Sequence, residues 1–140
     1  MRSTYFAAAL LASSATAQQL LNKPHLVEAV NRVDINVQPV IGVVAQPLED
    51  GMTGPEYEGY TTYVMDKYIR FMETSGARVI PLLTGEDESV TLDKLSKVNG
   101  VLFPGGGGDY EDFAAFILDR LVEYNDAGDF FPAWGTCLGF

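Results

Sequence analysis

The chain has 140 residues, 47% of them hydrophobic and 20% charged, with 19 acidic against nine basic side chains and a net charge of −10. That composition suits one globular core and excludes the disordered and fibrous classes. The acidic balance removes any electrostatic reason to bind nucleic acid or an anionic membrane surface, both of which call for a basic footprint.

At the N-terminus, Met1 and Arg2 open a short positive region, and an apolar stretch follows over residues 5–12. Ala15-Thr16-Ala17 then gives a small-x-small cleavage pattern. Residues 1–17 therefore read as a secretory signal peptide, too short to anchor in a bilayer, and Gln18 becomes the first mature residue. No later segment is apolar enough to cross a membrane. The expected location is secreted: the extracellular space, or a lysosome or vacuole. Cys137 is the one cysteine, so no internal disulfide is expected. Its thiol is intermolecular, incidental or kept for reactivity, and composition leaves these open.

Residues 18–38 form a lead-in without sustained periodicity, broken by Pro24 and closed by Pro39. The domain proper is expected over 39–140. Residues 40–45 are continuously apolar and rich in β-branched side chains, as in a strand buried on both faces. A loop with two Gly and two Pro covers 47–55. Tyr60, Tyr63, Val64, Tyr68, Phe71 and Met72 recur at three- and four-residue steps and predict one helical stripe ending at Gly76. Residues 79–83 predict a second strand, with Pro81 assigning part of it to a sheet edge. Leu92, Leu95 and Val98 predict a short helix capped by Thr91. Residues 100–103 predict a third strand, which runs into Pro104 and the glycines 105–108. Asp109 then caps a helix with Phe113, Phe116, Ile117, Leu121 and Tyr124 on its inner face and Gly128 as its stop. Residues 130–135 lead as a fourth strand into Cys137. Alternating strands and helices of these lengths predict an α/β fold, a parallel sheet with helices on both faces. In such folds chemistry sits where loops leave the carboxyl ends of strands.

Two of those ends carry chemistry. Gly135-Thr136-Cys137-Leu138-Gly139 has the nucleophile-elbow spacing, with cysteine in the serine position. A nucleophile on a sharp strand-to-helix turn needs small residues two before and two after it, so that neighbouring backbone can approach. A helix starting at Cys137 aims its positive end at the sulfur and favours the attacking thiolate. The same five residues also admit a structural cysteine packed as a small hydrophobe. Four successive glycines after the third strand suit bare backbone against a substrate, or N–H groups converging on an oxyanion. Gly106 or Gly107, together with Leu138, supplies the donors in that reading; a flexible surface turn is the other. A phosphate loop is disfavoured, since no Gly-Lys-Ser/Thr follows and Asp109, Glu111 and Asp112 repel phosphate.

Taken together, several stretches carry a family likeness: Ile41-Gly42-Val43 with Gln46, Tyr63 and Tyr68, and residues 75–81 with Glu73 before them. The likeness continues through Asn99-Gly100-Val101-Leu102-Phe103-Pro104-Gly105-Gly106 and through residues 131–140, which contain Trp134-Gly135-Thr136-Cys137-Leu138-Gly139-Phe140. Residues 39–140 thus resemble the N-terminal part of γ-glutamyl hydrolases, of the class I glutamine amidotransferase-like group. The resemblance implies a three-layer, doubly wound sheet and a cysteine hydrolase (an omega-peptidase) acting on folyl poly-γ-glutamates. It gives Cys137 the nucleophile's part and the backbone N–H groups of Gly106 and Leu138 the oxyanion's. It implies no metal and no organic cofactor. A homodimer is admitted. The family's histidine base lies far downstream in a His-x-Glu stretch, whereas His25 here precedes the first strand. The general base is thus expected to be absent from this chain, and the 140 residues to be an incomplete fragment, inactive alone and truncated after the nucleophile strand. Two other readings stay open: a glutamine amidotransferase-type domain, which a signal peptide argues against, and a non-catalytic remnant.

Overall fold

The β-branched run after Pro39 becomes the central strand of the sheet. The computed structural model describes residues 36–140, and all the elements that follow belong to the unit Val37–Phe140. In chain order they are β1 (Val40–Pro47), a 3₁₀ turn (Pro55–Tyr57), β2 (Thr62–Tyr63), α1 (Asp66–Thr74), β3 (Arg78–Leu83) and α2 (Glu88–Leu95). Then come β4 (Gly100–Phe103), α3 (Glu111–Asp126), β5 (Ala133–Gly135) and a second 3₁₀ turn (Cys137–Gly139). The expected signal peptide, His25 and most of the lead-in lie outside the described residues.

β1 is paired in parallel with β3 and with β4, and β4 in turn with β5. The fold is α/β, as expected, but its five-stranded sheet is mixed. β2 pairs antiparallel with the end of β1, Gln46 opposite Tyr63 and Pro47 opposite Thr62. Flanked on both sides, β1 buries successive residues, Val43 and Val44 both at 0% exposure. Val43 packs with Leu102 and Tyr68 of α1. Val44 packs in a larger cluster with Leu82, Leu95, Val101, Phe103, Ile117 and Leu121. Each fully buried Val or Leu side chain contributes about 1.5–3 kcal/mol by leaving water.

Three expectations need correction. The aromatic stripe from Tyr60 does not form one helix: α1 begins at Asp66, Tyr63 belongs to β2, and Tyr60 is exposed. Pairing with Gln46 satisfies the backbone of Tyr63 in a strand, and tertiary context overrides the spacing. Thr91 is not a cap. Asp87 precedes α2, while Thr91 is buried within it and donates its hydroxyl to Glu86 at 3.0 Å. Finally, Asp109 accepts the Glu111 N–H at 3.3 Å, but Tyr110 holds the cap position of α3.

Other expectations hold. Gly76 and Gly128 have φ of +88° and +82°, the left-handed conformation at which these helices stop. Among the described residues β3 pairs only with β1, so Pro81 lies on an edge strand there. Lys94 Nζ donates to the Pro81 carbonyl at 3.0 Å and pairs with Glu86, placing a charge over that edge. The side-chain amide of Asn125, near the end of α3, donates to the Phe131 carbonyl at 2.9 Å and accepts its N–H at 3.1 Å. With Phe131 itself buried at 2% exposure, this fixes the approach to β5 and to Cys137. Among the described residues, no helix is long and apolar enough to cross a membrane.

Candidate active site

Parallel pairing puts the carboxyl ends of β1, β4 and β5 on one rim of the sheet. Register does the rest. Phe103 stands opposite Gly135, so the chain leaving β4 and the chain leaving β5 run side by side. The Thr136 N–H donates to the Phe103 carbonyl at 3.0 Å, extending that ladder by one bond.

Cys137 follows at once. It is exposed and has φ +54°, the one positive φ outside glycine among the described residues. Backbone of that kind costs about 1–3 kcal/mol and persists only where its surroundings over-determine it. Those surroundings are the flanking glycines. A Cβ on Gly135 would lie 2.2 Å from the Gly139 carbonyl oxygen, and a Cβ on Gly139 2.2 Å from the Phe103 carbonyl oxygen. Across the gap, a Cβ on Gly105 would meet Cys137 Cβ at 2.7 Å. The Gly-x-Cys-x-Gly spacing is thus a packing requirement of the turn. After Cys137 the backbone enters a 3₁₀ turn, Cys137–Gly139.

The glycine loop is not a free surface turn. Gly105 N–H donates to the Tyr68 hydroxyl at 2.8 Å, Gly107 N–H to Glu49 Oε1 at 2.9 Å and Gly108 N–H to Gln46 Oε1 at 3.3 Å. Gln46 Nε2 donates to the Gly105 carbonyl at 2.9 Å, and Tyr110 Oη to the Pro104 carbonyl at 2.5 Å. Among the described residues, the Gly106 N–H donates to no protein group, and neither does the Leu138 N–H. Of the two amides weighed from sequence, Gly107 is occupied and Gly106 is open.

Electrostatics around the loop follow from the same contacts. The Tyr63 hydroxyl donates to Glu49, and with the Gly107 N–H it holds the Glu49 carboxyl below its ordinary range. Loss of water, then the bond to Glu49, pushes the Tyr63 phenol up to about 12. Burial likewise raises Tyr110 to about 12, with the neighbouring Tyr68 and Cys137 adding to the effect.

Sequence reasoning assigns no site role to Gln46, Glu49 or Tyr110. A buried glutamine closing an apolar strand is a legible signal, because such a group must find partners. Glu49, in a loop, carries no signal of this kind. A cavity of about 430 Å³ lies between the 84–88 loop and the start of α3, lined by Glu86, Glu88, Asp109, Glu111 and Asp112 among others. Its carboxylates repel a polyanion, and Cys137 is not part of its lining. Among the described residues, no group of three His, Cys, Asp or Glu side chains could hold a metal ion.

Comparison with known proteins gives this geometry relatives. Residues 39–112 match the Peptidase C26 family. The chain is 43% identical to "Gamma-glutamyl hydrolase 1" of Arabidopsis thaliana over 111 residues, which is 76% of this chain and 32% of that protein. It is 34% identical to "Gamma-glutamyl hydrolase" of Homo sapiens over 128 residues, 86% of this chain and 36% of that protein. "Gamma-glutamyl hydrolase B" of Dictyostelium discoideum is 34% identical over 111 residues, with 75% and 31% covered. The chain thus spans about a third of the length of the curated relatives it matches.

Proposed function

The chain belongs to the Peptidase C26 family, and on that premise we propose that Cys137 is the nucleophile of a cysteine hydrolase that cleaves the γ-glutamyl bonds of folyl poly-γ-glutamates. The Cys137 thiolate attacks the γ-amide carbonyl carbon. A C–S bond forms, and the carbonyl electron pair moves to oxygen. The Gly106 and Leu138 N–H groups donate to that oxyanion. Collapse breaks the C–N bond, the departing amine takes up a proton, and water hydrolyses the thioester to free the acid and regenerate the thiol. The proton traffic needs a histidine base, which the family resemblance places far downstream of the nucleophile.

One observation carries the reading. The two backbone N–H groups expected to hold an oxyanion are unengaged among the described residues, while every other amide of the glycine run is bonded. Leu138 directly follows the exposed Cys137 in its left-handed turn, and Gly106 follows Gly105, whose Cβ would meet Cys137 Cβ at 2.7 Å. Support for the substrate comes from the names of the relatives, each called a γ-glutamyl hydrolase. The finer expectations belong to the same proposal: a doubly wound three-layer fold, a signal peptide over 1–17, a lead-in over 18–38, and residence in the extracellular space, a lysosome or a vacuole. The same proposal includes an assembly that admits a homodimer.

Incubation of the native protein with a folyl poly-γ-glutamate tests it. Glutamate release that stops with iodoacetamide and in Cys137→Ala is expected. Release undiminished in Cys137→Ala overturns the assignment, and ammonia from free glutamine as the sole product replaces it with an amidotransferase.

A further inference from the structure

Gln46 is the penultimate residue of the central strand β1 and is 2% exposed. A buried primary amide left without partners is costly, so where this one spends its bonds is informative. Its Nε2 donates to the Gly105 carbonyl at 2.9 Å, and its Oε1 accepts the Gly108 N–H at 3.3 Å. The Tyr63 hydroxyl lies 3.5 Å from the same Oε1. The side chain therefore grips the glycine loop on both sides of Gly106 and makes no hydrogen bond to Gly106 itself.

Peptide geometry gives that grip a consequence. In a trans peptide the C=O and the following N–H point in opposite directions, and no peptide bond among the described residues is cis. Holding the Gly105 carbonyl toward Gln46 turns the Gly106 N–H away from it. Gly106 also lies so close to the amide that an added Cβ would sit 2.2 Å from Gln46 Oε1. Gln46 thus accounts for the glycine as well as for its orientation. Beside this peptide is the nucleophile, since a Cβ on Gly105 would meet Cys137 Cβ at 2.7 Å.

We infer that Gln46 is a positioning residue, whose amide locks the Gly105–Gly106 peptide so that the Gly106 N–H is presented to an oxyanion formed at Cys137. The inference rests on the hydrolase reading above. A role confined to the core would require partners for the buried amide, but not an open Gly106 N–H.

Two variants of the native full-length protein separate these roles. Gln46→Glu keeps the shape and the acceptor, but its carboxylate repels the Gly105 carbonyl. Protonated, it can donate again. Against a γ-glutamyl peptide, kcat should fall by about 10–100-fold at neutral pH with KM nearly unchanged, the pattern of an interaction made in the transition state. It should recover as pH falls, measured against wild type, in which Glu49, Tyr63, Tyr68, Tyr110 and Cys137 surround the same loop. Gln46→Met should lose kcat at every pH without recovery. Unchanged kcat in both variants, or profiles parallel to wild type with only thermal stability altered, overturns the inference.

Amide exchange of the wild-type protein, followed by NMR, needs no variant to fold. The Gly106 amide should exchange fast while those of Gly105 and Gly108 are protected. A Gly106 amide as protected as its neighbours overturns the inference even if the protein hydrolyses its substrate. Exchange as expected in a protein that releases no glutamate leaves the loop geometry standing and removes the hydrolase reading instead.

Discussion

Around Cys137 the sequence is legible because sterics leave few alternatives. Glycine at 135 and 139 is needed wherever a non-glycine residue is forced to positive φ between two close backbones, and the spacing alone announces that. Gly139→Ala forces a Cβ against the Phe103 carbonyl at 2.2 Å. Backbone must move to accept it, and the substitution is expected to cost about 1–3 kcal/mol in urea unfolding. A Cβ on Gly51, by contrast, would meet no atom within 4 Å, and its φ is not positive. Gly51→Ala should therefore be neutral or slightly stabilising. Equal destabilisation in the two would remove the packing argument. The clamp on the glycine loop is not legible, because Gln46 and Glu49 meet it across 58 to 62 residues of sequence. No local pattern encodes such a meeting. It does make a prediction: in Tyr63→Phe the Glu49 carboxyl loses the hydroxyl that most depresses it. Its titration, read by carbon-13 NMR, should move up toward the ordinary carboxylate range.

At the scale of elements, the parallel strands are legible in the sequence and helix starts are not. β1 and β4 stand out because strands covered on both faces need unbroken apolar runs. Pro81 marks β3 as an edge, since a strand with one neighbour tolerates a missing N–H. Helix starts depend on which polar group reaches which amide. Thr91, which has the chemistry of a cap, turns inward to Glu86 instead. Tyr63 fits a helical period by spacing, yet its backbone pairs with Gln46. On α3 the period holds: Ile117 is at 0% exposure and Leu118 at 44%. Ile117→Ala should therefore cost about 2–5 kcal/mol by leaving a cavity. Leu118→Ala should stay within about 0.5 kcal/mol. Thermal or urea unfolding of the pair checks the face assignment.

For the molecule as a whole, the β-α alternation makes the α/β class legible, while the antiparallel β2 stays hidden because two residues leave no periodicity to detect. The loop network also gives stability a pH dependence. Tyr63 and Tyr110 are raised from 10.0 to about 12 in the folded state. Their contribution is fully present below about 10 and is lost as pH climbs through about 12. Glu49 has the opposite sign, with stability present above its unfolded value and lost as pH falls through its depressed one. Unfolding free energy should therefore decline between about 10 and 12, and the double variant Tyr63→Phe, Tyr110→Phe should flatten that decline.

The central claim is that Cys137 becomes covalently acylated by a γ-glutamyl substrate. Its most direct test is mass spectrometry of the native protein quenched in acid during turnover of a folyl poly-γ-glutamate. The expected result is an acyl adduct on the peptide that carries Cys137, absent when that residue is alanine. Glutamate release with no adduct at Cys137, or with the adduct on another residue, would contradict it.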